Sequence, residues 1–264
     1  MVTEAKSLKT NHTVVELFSG CGGMALGFEN AGFNTKLLVE INPKIAVAEN
    51  VRGLTTHDGG NTLRIMLGVM EDLGYDITYK VLKAQLHQVP QKRERLFMIC
   101  TRKDLSLTAI FPEERTDIYT LRDALKDCPA SGGYEYKGDK LEVMKQVPEG
   151  GNWRNLSVEM QKKYMKKSYY LGGGKTGIAR RLSFDEPALT IVTSPVMRQT
   201  ERGHPVEDRP INLRESARIQ TFPDSWAFSG TKSSIYKQIG NAVPVNLAYH
   251  VGKCIINTLE GQER

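Results

Sequence analysis

A run of small residues, Ser19-Gly20-Cys21-Gly22-Gly23, interrupts an otherwise apolar stretch between Val14 and Phe33. Before it, Val14, Val15, Leu17 and Phe18 predict a buried strand; after it, Met24, Leu26, Gly27 and Phe28 predict the inner side of a helix. Glycines at a strand-to-helix turn permit a sharp bend and let a ligand lie against bare backbone. They also aim the unpaired N–H groups of the helix N-terminus at that ligand. Gly20 to Ala25 fits the G-x-G-x-x-A spacing of a dinucleotide-binding turn. Glu40 follows about 20 residues later, where a carboxylate can take both hydroxyls of a ribose. These residues predict a nucleoside-cofactor site, and they leave the nucleoside open.

Two further groups of residues could do chemistry. In Gln91-Lys92-Arg93-Glu94-Arg95 an extended backbone puts Gln91, Arg93 and Arg95 on one side, three donors in a row leading into the apolar strand Leu96–Cys100. Farther on, Lys162, Lys163, Lys166, Lys167, Lys175, Arg180 and Arg181 interleave with Tyr164, Tyr169 and Tyr170. That mixture suits phosphate neutralisation with aromatic contact to bases. A plain solvated surface has nearly the same composition, so both readings stand.

Elements that would position these groups can be traced along the chain. Residues 1–12 are polar and expected to fray. A second strand is expected at about Thr35–Glu40. Ile45–Val51 reads either as a helix started by Asn42 and Pro43 or as a buried strand ending in the polar pair Glu49-Asn50. After the turn Asp58-Gly59-Gly60, Asn61 or Thr62 should cap a helix with Leu63, Met66, Leu67, Met70 and Leu73 on its inner face, stopped by Gly74. Lys80–Ala84 and Leu96–Cys100 are expected strands, and Thr120–Lys126 a short capped helix. Asn212-Leu213-Arg214-Glu215 is a capping-box start for a helix over Leu213–Thr221. Pro244 starts a last helix whose apolar face is Val245, Leu247, Ala248, Val251, Ile255 and Leu259. Periodicity dissolves between about Leu105 and Gly177. The expected organisation is therefore a first part of the main domain at 1–104, an inserted lobe at 105–177, and a return at 178–264.

Bulk composition narrows the class without naming it. The 264 residues suffice for one large domain plus a small lobe, and 40% hydrophobic with 25% charged residues describes an ordinary globular chain. No apolar run reaches the roughly 20 residues of a membrane span, and Met-Val-Thr-Glu-Ala-Lys has no signal-peptide core, so the cytoplasm is the expected location. Net charge +6 hints at a polyanionic partner. The four cysteines (Cys21, Cys100, Cys128, Cys254) form no C-x-x-C, which indicates neither zinc nor disulfides; no metal is expected.

Alternating strands and helices, a glycine-rich first turn and a ribose acid predict a doubly wound, Rossmann-like α/β sheet. Four peptides occur in order: Phe18-Ser-Gly-Cys-Gly-Gly23, Glu49-Asn-Val51, Gln91-Lys-Arg-Glu-Arg95 and Gly240-Asn-Ala-Val-Pro-Val245. Together they resemble the bacterial DNA cytosine-5 methyltransferases of restriction–modification systems, as do Arg181–Pro187 and Arg214–Asp224. The resemblance spans nearly the whole chain. It implies a fold built around S-adenosylmethionine, held by Phe18, Ser19, Gly20, Cys21, Gly22 and Gly23, with Glu40 and Ile41 at the ribose. Asn241 and Ala242 would close the same pocket. It also implies that a target cytosine is swung out of double-stranded DNA, that a cysteine thiolate adds to C6 and that C5 takes the methyl group. Glu49 would act at N3, with Arg93 and Arg95 at O2 and a nearby phosphate. Gln91, Lys162, Lys163, Lys166, Lys167, Arg180 and Arg181 would meet DNA, and the lobe at 105–177 would read its sequence.

One part of the pattern is missing. The family places its nucleophile in a Pro-Cys-Gln loop between the second cofactor strand and the Glu-Asn-Val strand, and this sequence contains no Pro-Cys dipeptide. The acid that usually meets adenine after the third strand is absent too. Spacing alone exposes the gap. Parallel strands need a crossover of about a dozen or more residues, and only four residues separate Glu40 from Ile45. Two βα units, on the order of 60–90 residues, are expected to be gone. Three explanations follow: an internal deletion, which the spacing favours; one half of a split enzyme completed by a second chain; or conversion of Ile45–Val51 to a helix in a reduced sheet. In each case the chain alone is expected not to methylate DNA, and otherwise to be a monomer. Two rival functions remain: a non-catalytic DNA- or cofactor-binding protein, and an NAD-dependent oxidoreductase, which the glycine turn and Glu40 alone would permit.

Overall fold

The computed structural model describes residues 10–14, 21–35, 42–171 and 176–261. Among the described residues the strands and α-helices follow in chain order. The first eight are β1 (Thr13–Val14), α1 (Gly23–Ala31), β2 (Asn34–Thr35), β3 (Ile45–Val51), α2 (Asn61–Asp72), β4 (Tyr75–Lys83), β5 (Gln91–Lys92) and β6 (Glu94–Arg102). Then come α3 (Leu121–Leu125), α4 (Asp139–Met144), α5 (Val158–Met165), β7 (Ala188–Leu189), α6 (Leu213–Ile219), α7 (Lys232–Asn241) and α8 (Val245–Leu259). The chain divides into two compact units.

Among the described residues, the first unit comprises those within 10–88, 92–117 and 243–261. β1 and β2 pair in parallel across α1, as a βαβ unit requires. A three-stranded sheet of order β3-β6-β4 carries the rest. β6 is its centre, and Leu96, Phe97, Met98, Ile99 and Cys100 are all buried, which is why their sequence shows an unbroken apolar run rather than alternation. Both outer strands pair antiparallel to β6 and so run parallel to each other. α2 is their crossover, and its Leu63 and Leu67 pack with Leu96, Met98, Ala48, Ile77 and Val81.

Ile45–Val51 is thus a strand, hydrogen-bonded over its whole length to β6. The helix alternative after Pro43 is excluded, because a seven-residue ladder against a buried strand outweighs a local capping signal. α2 lies where the periodicity put it, but its N-cap is Gly60, left-handed at φ +88°, and not Asn61 or Thr62. Of the expected inner face only Leu63 is buried; Met66 and Leu73 are exposed. β4 is longer than Lys80–Ala84 suggested, since it begins at Tyr75.

α1 and α8 cross at very close range. A Cβ on Gly27 would collide with the Ala248 side chain and stand 2.8 Å from the Tyr249 nitrogen. One on Gly252 would stand 2.9 Å from the Ala31 Cβ. The two backbones approach at two points where no side chain fits. On α8, Val245, Leu247, Ala248, Val251 and Ile255 are buried as expected.

The second unit comprises Val89–Gln91 and Ile118–Ala242 among the described residues. Its core gathers Tyr136, Val143, Met144, Val147, Trp153, Leu156, Met165 and Ile178. α6 starts at the expected capping box, with Asn212 Oδ1 accepting from the Glu215 N–H and Glu215 accepting from the Asn212 N–H. α7 had no clear signal in the sequence. This unit runs on to Ala242, while 105–117 and α8 lie in the first unit.

Candidate active site

Glu49 faces Phe97 across the β3–β6 ladder, and Arg95 lies two residues before Phe97. Residues two apart on a strand share a face, so Glu49 and Arg95 are diagonal neighbours. Arg95 Nε donates to Glu49 Oε1 at 2.8 Å. Burial lifts the Glu49 carboxyl above its ordinary range, while the charges of Arg95 and Arg93 pull it back. Burial likewise lowers Arg95, with Glu49 opposing, and takes Arg93 down to about 9. Arg93 is 2% exposed. One carboxyl and two guanidinium groups are therefore concentrated in a poorly hydrated place. There Glu49 is primed to hold a proton and the arginines to receive an electronegative atom.

Gln91 does not join them. It is fully buried in the second unit. Its Nε2 donates to Gln220 Oε1 at 2.8 Å, and its Oε1 accepts from the Ile191 N–H at 2.8 Å. Gln220 in turn donates to the carbonyls of Ile239 and Ala242. The expected row of three donors is a row of two, and Gln91 is a buried amide relay instead of a DNA contact.

At the glycine turn, Cys21, Gly22 and Gly23 are described; Phe18, Ser19, Gly20, Glu40 and Ile41 lie outside the described residues. Gly22 is left-handed at φ +75° and caps α1 without any side-chain hydrogen bond. The first-turn N–H groups thus sit beside bare backbone, as a cradle for a polar or anionic ligand group requires. Asn241 is exposed at the end of α7, and Ala242 is buried with its N–H bonded to Gln238 and Ile239. Both belong to the second unit.

Neither Cys100 nor Cys128 has the acidified thiol that a nucleophile needs. Burial pushes Cys100 and Cys128 the other way, both to about 11. Cys21 is in the glycine turn and Cys254 on α8.

Among the expected DNA contacts, Lys162, Lys163, Lys166 and Lys167 are exposed on α5 and the turn after it. Arg180 is half-buried. Arg181 is a correction: it is 3% exposed, and its guanidinium donates to the carbonyls of Val147, Met144, His204 and Glu207 and to the Asp208 carboxylate. It holds the lobe together and cannot reach a phosphate. Of the interleaved tyrosines, Tyr164 and Tyr169 pack against the core, while Tyr170 and the following Leu171 are exposed. Leu171 was not singled out by sequence; an isolated leucine carries no signal of exposure.

A small α/β unit with a glycine-capped first helix and a half-buried Glu–Arg pair is a frame able to hold a polar cofactor group. Comparison with known proteins is more specific. The family model described as C-5 cytosine-specific DNA methylase matches residues 12–42 and 34–257, and the chain belongs to that family. It is 42% identical over 340 positions to the Type II methyltransferase M.Eco47II of Escherichia coli, covering 97% of this chain and 82% of the relative. It is 53% identical to M.PspPI of a Psychrobacter strain, over 90% of this chain and 61% of that one. With M.Sau96I of Staphylococcus aureus the identity is 49%, over 85% and 53%. The chain thus spans less than two thirds of the latter two.

Among solved structures, a prophage-encoded DNA modification methyltransferase of E. coli superposes with TM-score 0.66 at 22% identity, over 94% of this chain and 99% of that one. The Dnmt2 methyltransferase of S. pombe gives 0.55 at 14%, over 95% and 99%. These two likenesses establish the fold. The methyl donor of the family is S-adenosylmethionine, an electrophilic methyl source, and the bare, glycine-capped start of α1 fits such a group.

Proposed function

We propose that this chain is the cofactor- and DNA-binding part of a cytosine-5 DNA methyltransferase that does not complete methyl transfer by itself. The Glu49–Arg95 ion pair beside Arg93 carries the reading. A raised carboxyl can donate a hydrogen bond to a ring nitrogen, and the adjoining guanidinium groups can take a ring oxygen or phosphate. Glycine-capped α1 holds the donor; Lys162, Lys163, Lys166 and Lys167 neutralise backbone phosphate. Transfer stops because the Pro-Cys-Gln loop is missing from the sequence: C5 of cytosine becomes nucleophilic only after addition at C6, and burial keeps Cys100 and Cys128 protonated at neutral pH.

An internal gap supports this reading. The family match breaks in two around residues 34–42, where the strand spacing is too short. The alignment with the E. coli relative runs over 340 positions, more than this chain's 264 residues.

Incubation with labelled S-adenosylmethionine and mixed-sequence duplex DNA tests the proposal. The expected result is salt-sensitive DNA binding without label transfer; methylation at cytosine C5 by the chain alone would refute it. Calorimetry with NAD against S-adenosylmethionine addresses the oxidoreductase rival, and heat released only with NAD would favour that rival.

A further inference from the structure

α2 has two apolar faces. Leu63 and Leu67 look into the sheet. On the outward side Ile65, Val69 and Leu73 are 56%, 54% and 63% exposed, with Met66 beside them at 36%. Positions 65, 69 and 73 repeat at i, i+4, i+8 and form one stripe along the helix. A contiguous apolar stripe of this kind on a folded unit marks a place where something binds.

The topology indicates what that something is. β3 and β4 are parallel and joined by α2. Parallel crossovers in one sheet share a single, right-handed sense. A βα unit feeding into β3 from its outer side therefore lays its helix on the same face of the sheet, next to α2. The break in the family match lies immediately before β3. The excess of the E. coli alignment over this chain, 340 positions against 264 residues, is long enough for βα units of about 30 residues or more each.

We propose that the outward stripe of α2, Ile65, Met66, Val69 and Leu73, is the docking face for a helix supplied by a second polypeptide carrying the segment this chain lacks before β3. The proposal rests on the reading of the chain as an incomplete methyltransferase, and it names the surface through which completion occurs.

The probe is the gap segment of the E. coli relative, made as a separate polypeptide and titrated into the full chain. A one-to-one complex is expected by light scattering. Val69→Glu with Leu73→Glu should weaken it by ~10-fold or more, whereas Val158→Glu, an equally exposed change in the other unit, should not. The double variant should keep its circular dichroism and unfolding midpoint, because both side chains are exposed. Failure of the segment to bind, or equal affinity for the double variant, overturns the proposal. So does self-association of the chain that the double variant abolishes, since a second copy would then cover the face. S-adenosylmethionine binding by the chain alone is measured in parallel: its loss counts against the functional reading, and loss of the complex counts against the docking face.

Discussion

His87 should make the first unit sensitive to mild acid. It is completely buried, neither ring nitrogen has a hydrogen-bond partner among the described residues, and the His250 ring lies 5.8 Å away. Burial, reinforced by the nearby His250, Lys80 and Arg115 charges, lowers its pKa from 6.5 to about 4. Above pH 6.5 the ring is neutral in both folded and unfolded chains and adds no pH dependence. As the pH falls below 6.5 the unfolded chain takes up a proton that the folded one refuses, so stability is lost until about pH 4. The full difference is worth about 3 kcal/mol, of which about 2 kcal/mol has developed by pH 5. Urea unfolding at pH 7.5 and pH 5.0 measures it. With a slope near 3 kcal/mol per molar, the midpoint should drop by about 0.7 M in the native chain. In His87→Leu this component should vanish, leaving only what other groups contribute. A His87→Leu chain whose midpoint falls as far as the native one would show that His87 is not the group responsible.

Three further outcomes follow from the geometry. Gly27→Ala puts a methyl group into the α1–α8 crossing and should cost about 1–3 kcal/mol, read as a lowered thermal midpoint; an unchanged midpoint would mean the helices are not locked together. Lys166→Ala with Lys167→Ala should flatten the log–log dependence of DNA affinity on salt by up to ~2; an unchanged slope would remove both lysines from the interface. Arg181→Ala should instead destabilise the second unit by about 3–5 kcal/mol, because it strands the carbonyls and the Asp208 carboxylate that converge on the guanidinium. Its folded fraction should bind DNA with the native salt slope, and a flattened slope would reinstate Arg181 as a phosphate contact.

Much of the scaffold was legible because its signals are local. The unbroken Leu96–Cys100 run predicts a central strand, the Asn212/Glu215 box predicts where α6 starts, and the spacing on α8 predicts which side is buried. Ile45–Val51 was ambiguous because a capping signal and a strand pattern overlap there, and only pairing with β6 decides between them. α2 misled in a different way: apolar residues lie on two sides of it, so periodicity cannot tell the core face from the outward one. Charge was the least informative signal. Arg181 and Lys166 look alike in sequence, yet one is enclosed by carbonyls and the other is exposed. Which fate a cation meets depends on loops brought together from far along the chain. The same holds for Gln91, whose partners Ile191 and Gln220 come from distant loops. Glu49 and Arg95 became a pair only once the register of β3 on β6 was known.

The glycine crossing of α1 and α8 bears on how the protein is made. The helix that seats against α1 is translated on the order of 200 residues after it, once residues 118–242 have been made. Until then Phe28 and Ala31 have no α8 to cover them, and the turn that begins at Cys21 has no rigid support behind it. The glycine-capped start of α1 therefore cannot be locked in place before α8 has been made, which leaves its apolar side open to misfolding during synthesis.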